Sequence, residues 1–181
     1  REYLGEMTWF LDAFFDRQEG GIEVVGGLHK WVMPCNWKLP AENFAGDGYH
    51  VTWSHLSAVR AGFGGDFRVT GDPTGTALSP GNGHCVMTVG AHMNADPPAP
   101  EIQAYEEKIF PEVVKRLGPR AGLMKPVAGT VFPNFSMLKP TSRTFRVWHP
   151  RGPDKTEVWA WVYVDKAAPP AVTETMPIRG D

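Results

Sequence analysis

The chain has 181 residues, a formal net charge of −2 and 42% hydrophobic residues, with ten Phe and seven Trp. This length favours one domain with a substantial core, with two small domains as the alternative, and the absence of a basic stripe argues against a nucleic-acid partner. No apolar run approaches the roughly 20 residues that cross a bilayer, and the opening residues do not resemble a secretory signal peptide. We therefore expect a cytoplasmic protein with no membrane partner.

The first predicted elements are a helix, two strands and a second helix. Apolar residues at positions 3, 4, 7, 10, 11, 14 and 15 follow the spacing of an amphipathic helix. Residues 22–39 predict two strands around Gly26 and Gly27, and Pro34 in the second indicates a sheet edge or a bulge. The second helix is predicted from about Ala41 to the region of Ala58, with Pro40 in its first turn.

The rest of the chain predicts one helix among several strands. Residues 61–83 are rich in Gly, Asp, Pro and Thr and predict an irregular segment before a strand at 84–90. A helix from about Pro100 to Leu117 contains Pro111, which we expect to kink or split it. Residues 127–138, 144–150 and 157–165 are strand candidates in series, typical of an antiparallel meander. The predicted fold class is therefore α+β, an antiparallel sheet with flanking helices.

The stretch ENFAGDGYHVTWSH places Asp47, His50 and His55 within nine residues. Histidine is the commonest metal ligand, and Asp47 lies three residues before His50, so both could share one helix face. At about 100° per residue, however, an ideal helix would direct His50 and His55 roughly 140° apart. One ion could be shared only if the helix is widened or broken between them. Two ordinary structural histidines remain the alternative at this point.

The two cysteines, Cys35 and Cys85, lie in no CxxC or CxH pair, so the chain has no zinc-ribbon or cluster-binding motif. We interpret them as buried thiols of a reducing compartment, with a disulfide as the alternative. The four remaining histidines have no motif around them, and we expect structural or exposed roles for them: His29, His84, His92 and His149.

The stretch NWKLPAENFAGDGYHVTWSH, residues 36–55, resembles the iron-binding segment of the large (alpha) subunits of Rieske-type aromatic-ring-hydroxylating dioxygenases. The shared pattern is NWK, ENF, GD and YH, with a second histidine five residues after the first. Three further stretches resemble the same catalytic domain: residues 2–11, 131–138 and 146–161. Within the family, the resemblance is greatest to enzymes that act on polycyclic aromatic hydrocarbons.

The resemblance implies roles for individual residues. His50 and His55 would bind a mononuclear Fe(II), completed to a triad of two histidines and one carboxylate with positions open for O2. Asp47 would be catalytic, joining an iron-ligand histidine to a cluster-ligand histidine of the neighbouring subunit and giving electrons a route. Substrate contacts, with core packing as the alternative, would come from Asn43, Phe44, Gly48, Val51 and Leu138.

The resemblance also implies a helix-grip, START-like catalytic domain that is incomplete at both ends and occupies residues 1–181. The 2Fe-2S Rieske domain binds its cluster through CxH and CxxH pairs, which this sequence lacks, so we expect that domain to be absent from this chain. Asp165, Glu174 and Asp181 lie in no matching motif. We therefore expect the third iron ligand beyond residue 181, and the chain alone to be inactive.

For the intact protein, the resemblance implies addition of both atoms of O2 to an aromatic, in particular a polycyclic, hydrocarbon to give a cis-dihydrodiol. NADH electrons would arrive through a reductase and a ferredoxin, and neighbouring alpha subunits, often with beta subunits, would be further partners. The individual substrate, the regiochemistry and the oligomeric state stay open. The alternatives are a non-enzymatic binding module for apolar ligands, which would not need Asp47, His50 and His55 together, and a structural zinc site that includes Cys35.

Overall fold

The structure is a computed structural model that describes residues 2–47, 50, 54–55, 57, 75–91, 100–139 and 143–175. Its centre is one seven-stranded sheet in the spatial order β1-β7-β6-β5-β4-β3-β2, in which all neighbours are antiparallel. The strands are β1 (Ile22–Met33), β2 (Thr76–Gly81), β3 (His84–Gly90), β4 (Met124–Val131), β5 (Phe135–Leu138), β6 (Thr144–Pro150) and β7 (Thr156–Asp165). The helices are α1 (Met7–Phe15), α2 (Lys38–Gly46), α3 (Pro100–Leu117) and α4 (Pro170–Thr175), with a 3-10 turn at Pro119–Gly122. The predicted α+β class is confirmed.

The last four strands form the predicted meander, in which neighbours in sequence are neighbours in the sheet. The stretch 127–138, predicted as one strand, instead forms parts of β4 and β5 on either side of a turn at 132–134. Pro133 lies in that turn, where its missing backbone donor leaves no gap in the sheet ladder. The extra turn adds one strand to the meander.

The first strand also differs from the sequence prediction. Residues 22–33 form a single strand, with a register shift between Val25 and Leu28. Gly26 and Gly27 have φ values of 73° and 81°, which glycine adopts without a steric penalty, so the chain forms a bulge there instead of ending the strand. β1 ends at Met33, just before Pro34, and lies at the sheet edge that Pro34 predicted.

Two helices and one strand require further corrections. The predicted helix from Ala41 to Ala58 is interrupted, because α2 ends at Gly46 and Asp47 has a non-helical ψ of 69°. α3 continues unbroken through Pro111; the buried side chains of Ile109 and Val113 pack both adjoining turns and offset the proline penalty of about 3 kcal/mol. β2 lies inside the segment that was predicted to be irregular.

The helices cover both faces of the sheet, because successive side chains in a strand point to opposite faces. On one face, Phe10 and Phe14 of α1 pack against Val86 and Met137. Full burial of each such side chain contributes about 1.5–3 kcal/mol. On the other face, α2 packs against Trp148 and Val158, and α3 forms a further cluster with Val164 of β7.

No helix in the described ranges combines the length and apolar character needed to cross a membrane.

The cysteines and the remaining histidines can also be placed. Cys35 and Cys85 are free, so the disulfide alternative is wrong, and both are half-buried where full burial was expected. His84 is 1% exposed, donates from Nε2 to the Tyr3 carbonyl at 3.0 Å and accepts the Phe132 N–H at Nδ1 at 3.0 Å, a structural role as predicted. His29 and His149 are half-buried. His92 lies outside the described residues.

Candidate functional site

A chain of buried hydroxyl groups joins α2 to the sheet. The Trp148 indole donates to Ser136 Oγ at 2.8 Å, and Ser136 Oγ lies 2.8 Å from Thr130 Oγ1, which donates to the Ala41 carbonyl at 2.8 Å. The hydroxyl of Thr130 has one proton and donates it to the Ala41 carbonyl, so Ser136 must donate to Thr130. Every polar group in this hydrogen-bonded series therefore has a partner. The chain therefore fixes the position of the helix that precedes Asp47.

Phe44 of α2 is held between two side chains of β6. Its ring lies 5.7 Å from the Trp148 ring, and the Arg146 guanidinium lies 4.8 Å from its centre. Burial lowers the pKa of Arg146 to about 10, and its Nη2 donates to Thr144 Oγ1 at 2.6 Å. Sequence analysis missed Arg146, although its alternation with Thr144 and Trp148 placed all three on one sheet face.

Asp47 caps the turn that carries His50. Its Oδ1 accepts the backbone N–H of His50 at 3.2 Å, and Asn43 Nδ2 lies 3.5 Å from its Oδ2. The Asp47 carbonyl lies 2.5 Å from His50 Nδ1. A carbonyl oxygen can only accept, so Nδ1 carries the proton and the lone pair of Nε2 is free for a metal.

The imidazoles of His50 and His55 lie together, with ring centres 5.1 Å apart and planes at 72°. His55 occupies a bend between helical Ser54 and Ser57, so the segment departs from the ideal helix that would direct the two rings away from each other. Their convergence is what a shared ion requires. That they bind one remains a prediction, as do the other site assignments.

The Asp47 carboxylate lies on the Nδ1 side of His50, with Oδ2 at 3.6 Å from that atom, and its side chain is 41% exposed. It therefore faces away from the free Nε2. No group of three His, Cys, Asp or Glu side chains suited to one metal ion occurs within the described part of the chain. Two imidazoles fit one side of an iron site, and a third ligand is not among the residues placed here.

Of the remaining predicted pocket residues, only Leu138 lies among the residues that the structure describes. Leu138 ends β5, half-buried, on the same sheet face as Ser136, and its Cα partners are Ala128 and Thr144. It therefore lies on the face that α2 covers. Gly48 and Val51 lie outside the described residues.

Asp165 has a structural partner. It is 2% exposed and accepts from Arg143 Nη1 at 2.7 Å, with Arg17 Nη1 at 3.5 Å. Burial alone would raise the pKa of Asp165, but the two guanidinium groups outweigh it and hold this pKa below its usual range. Asp165 is thus committed to ion pairs, in agreement with its exclusion as an iron ligand.

The comparisons with known proteins bear on the same segment. Residues 21–177 match the sequence model of the family described as "Ring hydroxylating alpha subunit (catalytic domain)". The alpha subunit of benzene 1,2-dioxygenase from Pseudomonas putida is 36% identical over 191 aligned positions, covering 95% of this chain and 40% of that protein. The alpha subunit of biphenyl 2,3-dioxygenase from Rhodococcus jostii is 37% identical with the same coverage.

A solved structure gives the same result for the fold. Naphthalene 1,2-dioxygenase with indole bound in the active site superposes with a TM-score of 0.80 at 31% identity, covering 97% of this chain and 41% of that one. The chain therefore spans about 40% of the length of the relatives it matches. Sequence, fold and the arrangement around His50 agree, and the chain belongs to the ring-hydroxylating alpha-subunit family, within its catalytic domain.

Proposed function

We propose that this chain, residues 1–181, is the partial mononuclear-iron catalytic domain of an aromatic-ring dioxygenase. The intact protein would add both atoms of O2 to an aromatic hydrocarbon and release a cis-dihydrodiol. The observation that carries the proposal is the convergence of the His50 and His55 rings in a chain of this family. Fe(II), once bound, supplies the O2 activation that no side chain can perform.

In this proposal His50 and His55 bind the iron, and the third ligand comes from outside the described residues. The Asp47 carbonyl keeps the proton of His50 on Nδ1, which orients the ring and leaves Nε2 for the metal. Trp148 and Arg146 hold Phe44 from two sides, so that Phe44 can form a rigid apolar wall for a flat substrate.

Asp47 is proposed to connect the site with its source of electrons. Its carboxylate is fixed by the His50 N–H and is 41% exposed, so one oxygen can meet a histidine of another subunit. The source would be a 2Fe-2S Rieske cluster in a neighbouring alpha subunit, supplied with NADH electrons by a reductase and a ferredoxin. Beta subunits and a cytoplasmic location belong to the same proposal.

The substrate class follows from the relatives' names. The alpha subunits of benzene 1,2-dioxygenase and biphenyl 2,3-dioxygenase match at 36% and 37% identity. Sequence similarity therefore does not distinguish a one-ring substrate from a two-ring substrate. We propose that the substrate is an aromatic hydrocarbon and that polycyclic compounds are the preferred substrates. A panel of benzene, biphenyl and naphthalene tests this order through the rate of cis-dihydrodiol formation.

The first experiment tests the iron ligands in the full-length protein with ferredoxin and reductase. His50→Ala should lower iron affinity at least about tenfold and abolish product. His149→Gln is the matched control, since His149 of β6 contacts Trp159 of β7 and lies in no site motif, and it should retain iron and rate. Normal iron content and turnover in His50→Ala would contradict the proposal. A wild-type protein that binds aromatic compounds but never oxygenates them would favour the binding-module alternative.

The second experiment isolates Asp47. Asp47→Asn keeps an oxygen for the His50 N–H but loses the negative charge, so the local turn should persist. We expect unchanged iron content and NADH-driven product formation at least about tenfold slower. Equal loss of iron and rate would show that Asp47 only supports the fold of the turn.

A further inference from the structure

A cavity lies away from the candidate iron site. It has a volume of about 360 Å³ and lies between α1, α3 and the start of β4, and no predicted site residue lines it. One wall is apolar and consists of Trp9, Phe110, Val113, Leu117 and Met124. The Trp9 indole is fixed by a 2.9 Å hydrogen bond to the Leu117 carbonyl. The cavity thus has a rigid apolar side of about the size that holds a small organic molecule.

The opposite side of the cavity is charged. Arg17, Glu106, Lys125 and Lys139 line it, and Arg17 and Lys139 are 4% and 7% exposed. Glu106 binds Arg17 with both oxygens, at 2.6 and 3.0 Å, and also accepts from Arg143. Asp165 accepts from Arg143 at 2.7 Å. The buried carboxylate of Asp165 and the half-buried carboxylate of Glu106 are therefore both engaged by arginines.

Lys139 has no such partner. No hydrogen bond or ion pair within 4.0 Å joins its ammonium to another residue in the part of the chain that the structure places. Its backbone N–H donates to the Val127 carbonyl at 2.8 Å, which fixes the start of the side chain. The carboxylate at the cavity mouth, Glu107, is exposed and accepts instead from Gln103 at 2.9 Å.

The charges around the cavity therefore do not balance. Four cations, Arg17, Lys125, Lys139 and Arg143, face three carboxylates, Glu106, Glu107 and Asp165, which leaves one positive charge in excess. A buried ammonium with no carboxylate within 4.0 Å is costly, although Glu106 attracts it from farther away. Burial, together with Arg17, lowers the pKa of Lys139. Either Lys139 gives up its proton, or a monoanion enters the cavity.

We propose that this cavity binds a monocarboxylate with a flat or compact apolar body, its carboxylate on Lys139 and its body against the Trp9 and Phe110 wall. One carboxylate balances the single excess charge, whereas a phosphate dianion would leave a negative excess and no use for the apolar wall. The site would be separate from the iron centre, and its binding needs neither iron nor turnover.

Calorimetric titration of this chain with benzoate tests the proposal, with benzamide as the uncharged analogue of the same shape and acetate as the anion without the body. We expect benzoate to bind at least about tenfold more tightly than either. Equal affinity for benzoate and benzamide, or no detectable benzoate binding, would overturn it, and this comparison needs no variant.

Variants then assign the charge to Lys139. Lys139→Met should weaken benzoate binding at least about tenfold, while Lys139→Arg, which keeps the charge, should retain most of it. Lys115→Met is the matched control, because Lys115 is exposed on α3 and lines no part of the cavity. Unchanged benzoate affinity in Lys139→Met would place the anion elsewhere and refute the assignment.

Discussion

Asp47 and Asp165 show how differently one residue type is used in this chain. The Asp47 side chain is 41% exposed and caps a turn beside a histidine, whereas Asp165 is 2% exposed and bound to two arginines. The first is accessible to a partner and the second is committed to the fold. Burial on folding, which the local sequence does not encode, separates the two roles.

The carboxylates of Asp165 and Glu106 predict a specific dependence of stability on pH. Arg17 and Arg143 hold the pKa of Asp165 below its usual range against the opposing effect of burial, and the same arginines with Lys139 do so for Glu106. A depressed folded-state pKa contributes stability that is present above the unfolded pKa and is lost as pH falls through the folded pKa. The free energy of unfolding should therefore drop below about pH 4, as followed by urea denaturation.

Asp165→Asn isolates this contribution. The variant should lose about 3 kcal/mol at neutral pH, because Arg143 and Arg17 keep their charge in a buried site. Its stability should also fall less steeply in acid. Asp154→Asn is the control, since Asp154 is exposed. A wild-type protein and an Asp165→Asn variant with parallel pH profiles would show that this ion pair does not set the acid limit.

Sequence patterns predict the elements that carry a complete local signal. The apolar stripe of α1 and the alternation in β3 and β7 specify buried faces by themselves, and those elements are found. β2 was missed because Pro80 and Gly81 are poor strand residues, and it is held by pairing with β3. The Asn82–Gly83 pair, at φ 52° and 78°, is the hairpin signal that could have found it.

The candidate site was predictable only in part. The family motif identified Asp47, His50 and His55, and the structure adds that the two rings meet next to the end of α2. Arg146 was missed because a charged residue in a strand is usually exposed. Only the assembled sheet shows that its guanidinium lies over Phe44.

The position of α2 should depend on Ser136. Ser136→Ala removes the group that links the Trp148 indole to Thr130 and leaves a buried donor unpaired. We expect a loss of about 1–3 kcal/mol in the free energy of unfolding, with faster amide exchange in α2. Ser79→Ala is the control, because Ser79 also donates to a carbonyl but is exposed on β2. Equal effects of the two substitutions would mean that the buried chain does not hold the helix.

At the scale of the whole molecule, the two edges of the sheet differ. β2 is a six-residue edge that contains Pro80. β1 is twelve residues long, and its exposed apolar side chains include Val24, Leu28, Trp31 and Val32. A long edge strand with exposed apolar residues is a template for pairing with another chain. The β1 edge is therefore the surface through which this chain should associate.

Val32→Lys tests that surface. Val32 is 56% exposed and lies opposite Glu157 on β7, so a lysine there gains a favourable cross-strand pair while it places a charge on the open edge. Light scattering should detect association of the wild-type chain at micromolar concentrations and little or none in Val32→Lys. Leu123→Lys makes the same change in charge at a residue that is 71% exposed in the turn before β4, and it should associate like wild type. If both lysine variants reduce association equally, the added charge in general, and not the β1 edge, explains the loss of association.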